Sequence, residues 1–323
     1  MFKTLFGFGK SKDSNIQPHP SRDPDPSFGN PSVNRAASLL LSGEFDNLTE
    51  QYQKSKSWEK SLLVANLAFE NQYSAKILEW VSAQPDSYIS HLFRGANCVH
   101  LAWESRTAKW AEDVTEEQWE GFLNYLYKAE EHFQTSLELN PYEAETHART
   151  IPMYMGLSDK EAVLSHFQSA IQLDPNHFYA HSATLNALKE KWLGSKQEMY
   201  EFVDQIITNN PNPFFKSLML ECFIEDALGY LREENGREKL DNFLKNEDFR
   251  ADFFKLYNEF SPTQEPKEII YPIQNKFCFL LYLMKEKALA KKEFEKFKGH
   301  MSATPWNYLR GIKTNKDLQN LFA

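Results

Sequence analysis

A ten-residue segment occurs twice in this chain, with an offset of 34 residues. The first copy, HFQTSLELNP, runs from His132 to Pro141, and the second, HFQSAIQLDP, runs from His166 to Pro175. Five of the ten positions are identical. A period of this length is typical of a two-helix unit, which cannot bury its apolar face alone and therefore stacks on its neighbours. The duplication predicts an all-α chain built from antiparallel helix hairpins.

Each copy lies in a predicted helix that alternates small and large residues on one face. The face consists of Val163, Phe167, Ala170 and Ile171 in the second copy, and of Ala129, Phe133, Ser136 and Leu137 in the first. Small residues between large ones let neighbouring helices approach closely. The pairs Asn140-Pro141, Asp174-Pro175 and Asn210-Pro211 then end successive helices. These positions resemble the small, aromatic and proline positions of the tetratricopeptide consensus, in which Tyr154 also matches an aromatic. The resemblance implies a right-handed α-solenoid.

Helical periodicity dominates from Ser32 onward, and no segment shows the alternation of a strand. The predicted hairpins are 33–42 with 44–54, 57–70 with 73–84, 86–106 with 115–139, 143–156 with 159–173, 177–192 with 196–209 and 213–232 with 236–246. A helix at 248–259 follows, then a loop containing Pro262, Pro266 and Pro272. A last pair is predicted at 274–290 with 291–300, and a short tail ends in Leu321-Phe322.

Three capping boxes mark predicted helix starts, because a hydroxyl and an amide or carboxylate three residues later satisfy each other's backbone donors. They are Thr115-x-x-Gln118, Ser158-x-x-Glu161 and Ser195-x-x-Glu198. Gly156 and Gly194 precede two of these boxes, where the preceding helix is expected to end.

The chain is expected to have three parts. Residues 1–31 are predicted to be a disordered tail, because Pro18, Pro20, Pro24, Pro26 and Pro31 fall in one short polar stretch. Residues 32–246 are predicted to form the tetratricopeptide-like repeat domain, and residues 247–323 a helical extension.

A second resemblance rests on the pair Arg94-Gly95, the run WESRTAKW and the turn Lys191-Trp192-Leu193-Gly194-Ser195. Over residues 33 to 230 these features are similar to a family of uncharacterised bacterial tetratricopeptide-like proteins with an aromatic-rich insertion and a KWGGS-like turn. Here Leu193 replaces the first of the two glycines. The resemblance implies a bacterial helical-repeat protein and carries no activity with it.

Composition narrows the possible partners. Lys+Arg 36 against Asp+Glu 45 gives a formal net charge of −9, which argues against nucleic acid and favours basic partners. Cys98, Cys222 and Cys278 have no metal-ligand spacing, and each lies in an apolar helical pattern as a small buried residue. Neither a membrane span nor a secretory signal is evident. We therefore expect a cytoplasmic protein.

Catalytic and metal-binding patterns are weak. His177 and His181 lie four residues apart, a spacing that two ligands of one metal can have, but no third ligand accompanies them. His132 and His166 recur with the repeat, which explains them better than catalysis does. Gly9-Lys10-Ser11 has the ending of a phosphate-binding loop without its first glycine or a preceding strand. We therefore predict no metal, no cofactor and no enzymatic activity.

A partner protein or peptide is expected in the concave groove of the solenoid, which the first helices of the hairpins line. The candidate contact residues on those helices are His147, Arg149, Tyr154, His181 and Asn186. A second candidate set in the insertion and the later turn comprises Trp103, Arg106, Trp110, Trp119 and Trp192, since Trp and Arg are common interface anchors. Sealing of a seam between helices is an equally ordinary role for these tryptophans. Pro152 is expected to kink its helix.

Residues 2–12 carry Phe2, Leu5, Phe6 and Phe8 between Lys3, Lys10 and Lys12. Such a segment could attach weakly to an inner-membrane surface or remain a free tail. The expected function is a non-catalytic protein-interaction scaffold. The alternatives are an immunity protein that neutralises a basic toxin, and an enzyme in a helical array.

Overall fold

The computed structural model describes residues 23–107, 113–210, 212–260 and 266–323, with only the backbone of Pro213. Every regular element in these ranges is a helix. The predicted all-α class is therefore confirmed. The described chain consists of two compact units. The first is Pro31–Ala187, and the second is Leu188–Ala323 together with residues 23–30. The boundary predicted at 246/247 lies within the second unit, because contacts join α-helices on both sides of it.

The first unit consists of consecutive helices that pack on one another. Its α-helices are α1 (Pro31–Ser42), α2 (Phe45–Lys54), α3 (Ser57–Ala68), α4 (Ser74–Ala83), α5 (Tyr88–Arg106), α6 (Glu116–Leu139), α7 (Ala144–Gly156), α8 (Lys160–Leu173) and α9 (Phe178–Ala187). These bounds agree closely with the predicted hairpins, except that the helix predicted at 177–192 ends at Ala187. Pro152 lies inside α7.

The duplicated segments occupy equivalent places in α6 and α8. Phe133 and Phe167 are both buried, and Ser136 and Ala170 are each 0% exposed. Each helix ends in the same way. The backbone N–H of Asn140 donates to the carbonyl of Ser136, and that of Asp174 donates to the carbonyl of Ala170, both at 2.9 Å and four residues apart. α6 packs on α5, and α8 packs on α7.

A glycine allows the closest approach between α5 and α6. A Cβ atom on Gly95 would lie 2.7 Å from the ring of Phe133, the aromatic residue of the first duplicated segment. Phe93, on the same helix, packs at a tilt against the indole of Trp80 with the ring centres 5.2 Å apart, and both side chains are fully buried. The core of the first unit is therefore built from α1 to α7 around this contact.

The capping boxes have different outcomes. Thr115 and Gln118 form the predicted box at the start of α6. The hydroxyl of Ser195 accepts from the backbone N–H of Glu198, as predicted. At α8 the prediction was wrong, since Asp159 accepts from the N–H of Ala162 at 2.9 Å. Ser158 has φ of 62°, a left-handed conformation that ends the preceding helix instead of beginning the next one.

This correction gives a stability prediction. We expect Asp159→Ala to lower the free energy of unfolding by about 1 kcal/mol, because the cap of α8 is lost. Ser158→Ala is the matched control and should change it by less than about 0.5 kcal/mol, because its side chain caps nothing. Urea unfolding followed by circular dichroism measures both changes. A larger loss for Ser158→Ala than for Asp159→Ala would contradict the assignment.

The third helix covers the first helices of the later hairpins. α3 is in contact with α5, α7 and α9. Part of the face of α5, α7 and α9 that was expected to line an open concave groove is therefore packed against the chain's own α3.

The second unit begins with a turn and continues with helices of the same kind. Its α-helices are α10 (Lys196–Asn209), α11 (Met219–Arg232), α12 (Gly236–Lys245), α13 (Glu247–Glu259), α14 (Lys267–Leu283), α15 (Lys287–Phe297), α16 (Ala303–Trp306) and α17 (Asn315–Phe322), and a 3-10 helix spans Pro213–Leu218. In the opening turn a Cβ on Gly194 would lie 2.1 Å from the carbonyl oxygen of Leu188, so this position requires glycine.

Pro272 was predicted to lie in a loop, but it lies inside α14. A proline removes one backbone hydrogen bond from a helix. Ile273, Phe277 and Leu280 are almost fully buried on the same helix, and their burial outweighs that loss. The helix pair predicted at 274–290 and 291–300 is correspondingly shifted toward the N-terminus.

Residues 23–30 form turns, which corrects the last part of the predicted disordered tail. The carboxylate of Asp25 accepts from the backbone N–H groups of Ser27 and Gly29, both at 2.9 Å. Asn30 donates to Glu268 at 2.7 Å. The prolines prevent a helix here, and the carboxylate of Asp25 instead satisfies backbone N–H groups that have no helical partner. The rest of the predicted tail lies outside the described residues, and so does the segment 2–12.

None of the helices in the described ranges has the length and the apolar character that a membrane crossing requires.

Candidate binding groove

Arg149 was predicted to line a groove, but it is buried at 1% exposure inside the first unit. Its Nε donates to Glu145 at 2.6 Å, and its Nη2 donates to the carbonyl of Ser61 on α3 at 2.7 Å. The guanidinium lies 3.8 Å from the ring centre of Tyr179 and 5.4 Å from that of Phe69. Arg149 therefore joins α3, α7 and α9 and is not available to a partner.

Glu145 is the centre of this buried network. His177 lies with Nε2 2.9 Å from its carboxylate, and the hydroxyl of Ser61 also donates to it. Burial opposes the ionisation of Glu145, but the attraction of Arg149 and His177 outweighs it and lowers the pKa to about 2. The carboxylate is therefore charged and fully engaged at neutral pH.

His181 is also buried, at 4% exposure. Its Nδ1 donates to the carbonyl of His177 at 3.0 Å, while His177 faces Glu145. The two histidines thus point to different partners, although their spacing suits a shared metal. In the described ranges no group of three or more His, Cys, Asp or Glu side chains could hold a metal ion.

Three members of the predicted tryptophan set, Trp103, Arg106 and Trp119, pack together where α5 meets α6. Trp103 and Trp119 both contact the ring of Phe122, at 4.9 and 5.6 Å. The guanidinium of Arg106 lies 5.7 Å from the ring centre of Trp103 and 5.4 Å from that of Trp119. These side chains seal the end of the hairpin.

The remaining predicted residues are spread over the chain. Trp110 lies outside the described residues. Trp192 lies in the second unit, where its backbone N–H donates to the carbonyl of Lys189 at 2.9 Å. Asn186 donates to the sulfur of Met155 at 3.6 Å. Within the described part of the first unit, His147 and Tyr154 both contact His166, whereas Arg149 and His181 are buried.

His147 belongs instead to one of two equivalent histidine pairs. In the first pair His91 donates from Nε2 to the carbonyl of Pro85 at 2.9 Å, because a carbonyl can only accept. Its Nδ1 must then accept, and Nδ1 of His132 lies 3.0 Å away and donates. The second pair has the same form, with His147 at 3.4 Å from the carbonyl of Pro141 and 3.1 Å from Nδ1 of His166.

A sequence signal for these pairs existed and was missed. The first-helix histidine stands six residues after a proline in Pro85/His91, Pro141/His147 and Pro175/His181. The second-helix partners His132 and His166 were recognised only as part of the repeat. His181 has no histidine partner of this kind. His132 and His166 each stand nine residues before a proline, and Phe202 stands at that position in the helix that follows His181.

The histidine pairs predict a loss of stability in acid. Burial lowers the pKa of His132 and His166 to about 4, with a contribution from the partner histidine in each pair. The unfolded chain therefore binds more protons than the folded chain between about pH 6.5 and pH 4, and stability falls as the pH falls through this window. We expect His132→Phe with His166→Phe to flatten the dependence of unfolding free energy on pH by up to about 1.4 kcal/mol per pH unit for each histidine, and by less where water reaches the rings. Urea unfolding at pH 7.0, 6.0 and 5.0 measures this slope, and an unchanged slope would contradict the assignment.

An open groove lies between α6 and α8, with α7 as its base. Its volume is about 370 Å³, and it is lined by Glu130, Phe133, Gln134, Leu137, Glu138, Thr150, Met153, Tyr154 and His166. Phe133, Leu137 and Met153 provide its apolar lining. Among the predicted contact residues that the structure describes, Tyr154 alone lines this groove.

Hydrogen bonds and stacking fix the polar rim of the groove. Tyr154 donates from its hydroxyl to Glu130 at 3.2 Å and stacks on His166 at 5.2 Å. Gln134 donates to Glu138 at 3.0 Å. Since the pKa of His166 is about 4, this ring is neutral at pH 7. The lining then carries two carboxylates and no cationic side chain.

Exposed apolar residues continue this surface along α6 and beyond its end. Leu123 is 37% exposed and Tyr127 is 54% exposed, while Tyr142, just after α6, reaches 79%. Leu139 and Leu173, which are equivalent in the two duplicated segments, are 42% and 39% exposed. α6 also carries six glutamates and a single lysine. The helix therefore combines negative charge with exposed apolar side chains.

The second unit holds a cleft of about 430 Å³ and a separate buried charge cluster. The cleft rim is of mixed sign, with Lys216 donating to Glu259 at 2.7 Å. In the cluster, Glu221 lies against Lys276 and Lys189, which overcome the effect of burial and lower its pKa to about 2. These ion pairs compensate one another, so neither feature selects one kind of ligand.

Residues 36–170 match a family described as a domain of unknown function, DUF4034. The match covers α2 to α7 entirely, and it includes the first duplicated segment, but it spans less than half of the chain. Comparison with curated proteins gave no match.

Proposed function

We propose that the chain is a non-catalytic protein-binding protein, built from tetratricopeptide-like helix hairpins, that holds a basic amphipathic segment of a partner. The equivalent places of the two duplicated segments in α6 and α8 support the repeat architecture. The binding surface in this proposal is the groove between α6 and α8. It replaces the concave face expected from the sequence, on which Arg149 and His181 are buried and part of which packs on α3.

The single observation that carries the proposal is the chemistry of this groove. Two carboxylates, Glu130 and Glu138, lie beside an apolar lining in a volume of about 370 Å³, which lies within the range of peptide- and ligand-binding pockets. An amphipathic helix bound in a groove presents apolar anchors on one face and charges at its edges. Lysine or arginine at those edges would complement Glu130 and Glu138, and leucine or phenylalanine would contact Leu137 and the ring of Tyr154.

The acidic character of α6 extends the complementarity beyond the groove. Charges of opposite sign across an interface accelerate association and suppress partners of the wrong sign. A basic toxin, the alternative derived from the sequence, would present the same chemistry to this surface as any other basic partner. In the residues that the structure describes, no observation favours an enzyme over a binding protein.

A peptide-display selection against the full chain tests the proposal. We expect enriched peptides to carry Lys or Arg together with apolar residues at helical spacing. The variant Glu130→Lys with Glu138→Lys should reduce their affinity at least about tenfold, since two attractive contacts become repulsive. Glu120→Lys with Glu131→Lys is the matched control, because it makes the same charge change on α6 outside the groove lining.

Circular dichroism and urea unfolding must show that both double variants remain folded. Enrichment of acidic peptides, or equal losses of affinity in the two double variants, would contradict the proposed groove.

A further inference from the structure

We propose that residues 2–12 of this same chain occupy the groove between α6 and α8 and compete there with a partner. This inference rests on the proposed function, because it assigns an occupant to the same groove. It assigns a role to the amphipathic segment that the sequence analysis left open between a free tail and a membrane contact.

The first argument is charge complementarity. Residues 1–12 contain Lys3, Lys10 and Lys12 and no acidic residue. The groove lining contains two carboxylates, and its histidine is neutral at pH 7. The segment and the groove therefore carry opposite charges. Such charges favour binding of the segment in this groove over its binding to an uncharged apolar surface.

The second argument is the apolar content of the segment. Phe2, Leu5 and Phe6 have the spacing of one helical face, and Phe8 follows. Phe133, Leu137 and Met153 line the groove. An aromatic side chain buried against such a lining is the kind of anchor that supplies most of the energy of a peptide contact.

The third argument is the tether. Residues 13–22 separate the segment from the first described residue, and ten residues of extended chain span up to about 35 Å. A tether of this length gives an effective concentration of the order of millimolar wherever it can reach. A tethered segment of modest intrinsic affinity therefore competes with a free partner for a site within this reach and raises the concentration of partner needed to displace it.

The test uses a fluorescently labelled synthetic peptide of residues 1–15 and full-length proteins. Lys3→Glu with Lys10→Glu removes two of the attractive charges from the tethered segment. We expect this variant to bind the labelled peptide at least about tenfold more tightly than the unaltered chain does, because the groove is vacated. Adding Glu130→Lys and Glu138→Lys to it should abolish peptide binding.

Lys287→Glu with Lys292→Glu is the matched control. Both lysines are exposed on α15, and the net-charge change equals that of the test variant. We expect this control to bind the peptide as weakly as the unaltered chain does. Fluorescence anisotropy measures all four affinities, and sedimentation at the same concentrations must show monomers.

Three results would overturn the inference. The first is an equal peptide affinity of the unaltered chain and of the Lys3→Glu, Lys10→Glu variant. The second is peptide binding that persists after Glu130→Lys and Glu138→Lys are added. The third is tighter peptide binding that occurs only when the variant forms dimers. A peptide that binds vesicles containing phosphatidylserine but no form of the protein would also overturn it, in favour of a membrane contact.

The failure of this inference is distinct from the failure of the proposed function. If display-selected basic peptides bind and depend on Glu130 and Glu138 while the 1–15 peptide does not bind, the groove stands without this occupant. If neither kind of peptide depends on those residues, both proposals are wrong.

Discussion

Arg149→Met is expected to lower the free energy of unfolding by about 3–5 kcal/mol, because it leaves the buried carboxylate of Glu145 without its main counter-charge. Both side chains are 1% exposed, and the Nε of Arg149 lies 2.6 Å from Glu145. The substitution also removes the hydrogen bond from Arg149 to the carbonyl of Ser61, which ties α7 to α3. Urea unfolding followed by circular dichroism measures the loss.

A double-mutant cycle separates the ion pair from the packing of the side chains. Methionine at both Arg149 and Glu145 removes the two charges together and keeps apolar volume in the site. We expect this double variant to lose less stability than the sum of the two single variants, because neither charge is then left buried alone. Strictly additive losses, or a loss below about 1 kcal/mol for Arg149→Met, would contradict a buried network that holds α3 in place.

Asn275→Ala is expected to lower the free energy of unfolding by about 3–4 kcal/mol in the second unit, because several buried groups lose their partner at once. Asn275 is 0% exposed. Its Oδ1 accepts from Nε1 of Trp306 at 2.7 Å and from the N–H of Ser302 at 3.2 Å. Its Nδ2 donates to the carbonyls of Tyr271 at 2.8 Å and His300 at 3.2 Å.

The exposed residue Asn307 provides a control of the same type. Asn307→Ala should change the unfolding free energy by less than about 0.5 kcal/mol. Thermal unfolding monitored by tryptophan fluorescence compares the two variants, since Trp306 loses its hydrogen bond only in Asn275→Ala. Similar losses in both variants would show that the buried amide is not a centre of stability.

The helices were predictable because their signals are local. The duplicated segments, the Asn-Pro and Asp-Pro stops and the Thr115 capping box each involve residues within a few turns of one another. At α8, two adjacent residues, Ser158 and Asp159, can both cap a helix. The choice between them depends on the left-handed backbone at Ser158, which the sequence pattern does not reveal.

Burial of the predicted groove residues was not predictable from the same signals. Arg149 looks like an exposed polar residue when α7 is considered by itself. Its hydrogen bond to Ser61 spans 88 residues of sequence, and it forms only because α3 packs on α7 and α9. Contacts between such distant segments leave no periodic trace in either segment.

The candidate groove itself could have been found in part. Glu130, Gln134 and Glu138 follow one another at helical spacing on the outer face of α6, and Tyr154 was already noted as a consensus aromatic. What the sequence lacked was the position of α8 beside α6, which brings His166 to the same surface. The spacing of proline and histidine in the hairpins would have indicated that His147 and His166 meet.

Hydrogen–deuterium exchange of the full chain, with and without a display-selected basic peptide, tests the central claim most directly. We predict that the peptide slows exchange in α6 and α8 and leaves α3 and α9 unchanged, because the partner binds the groove between the second helices. Slower exchange confined to α3 and α9 would show that the partner binds the face of the first helices that packs on α3, and it would contradict the account.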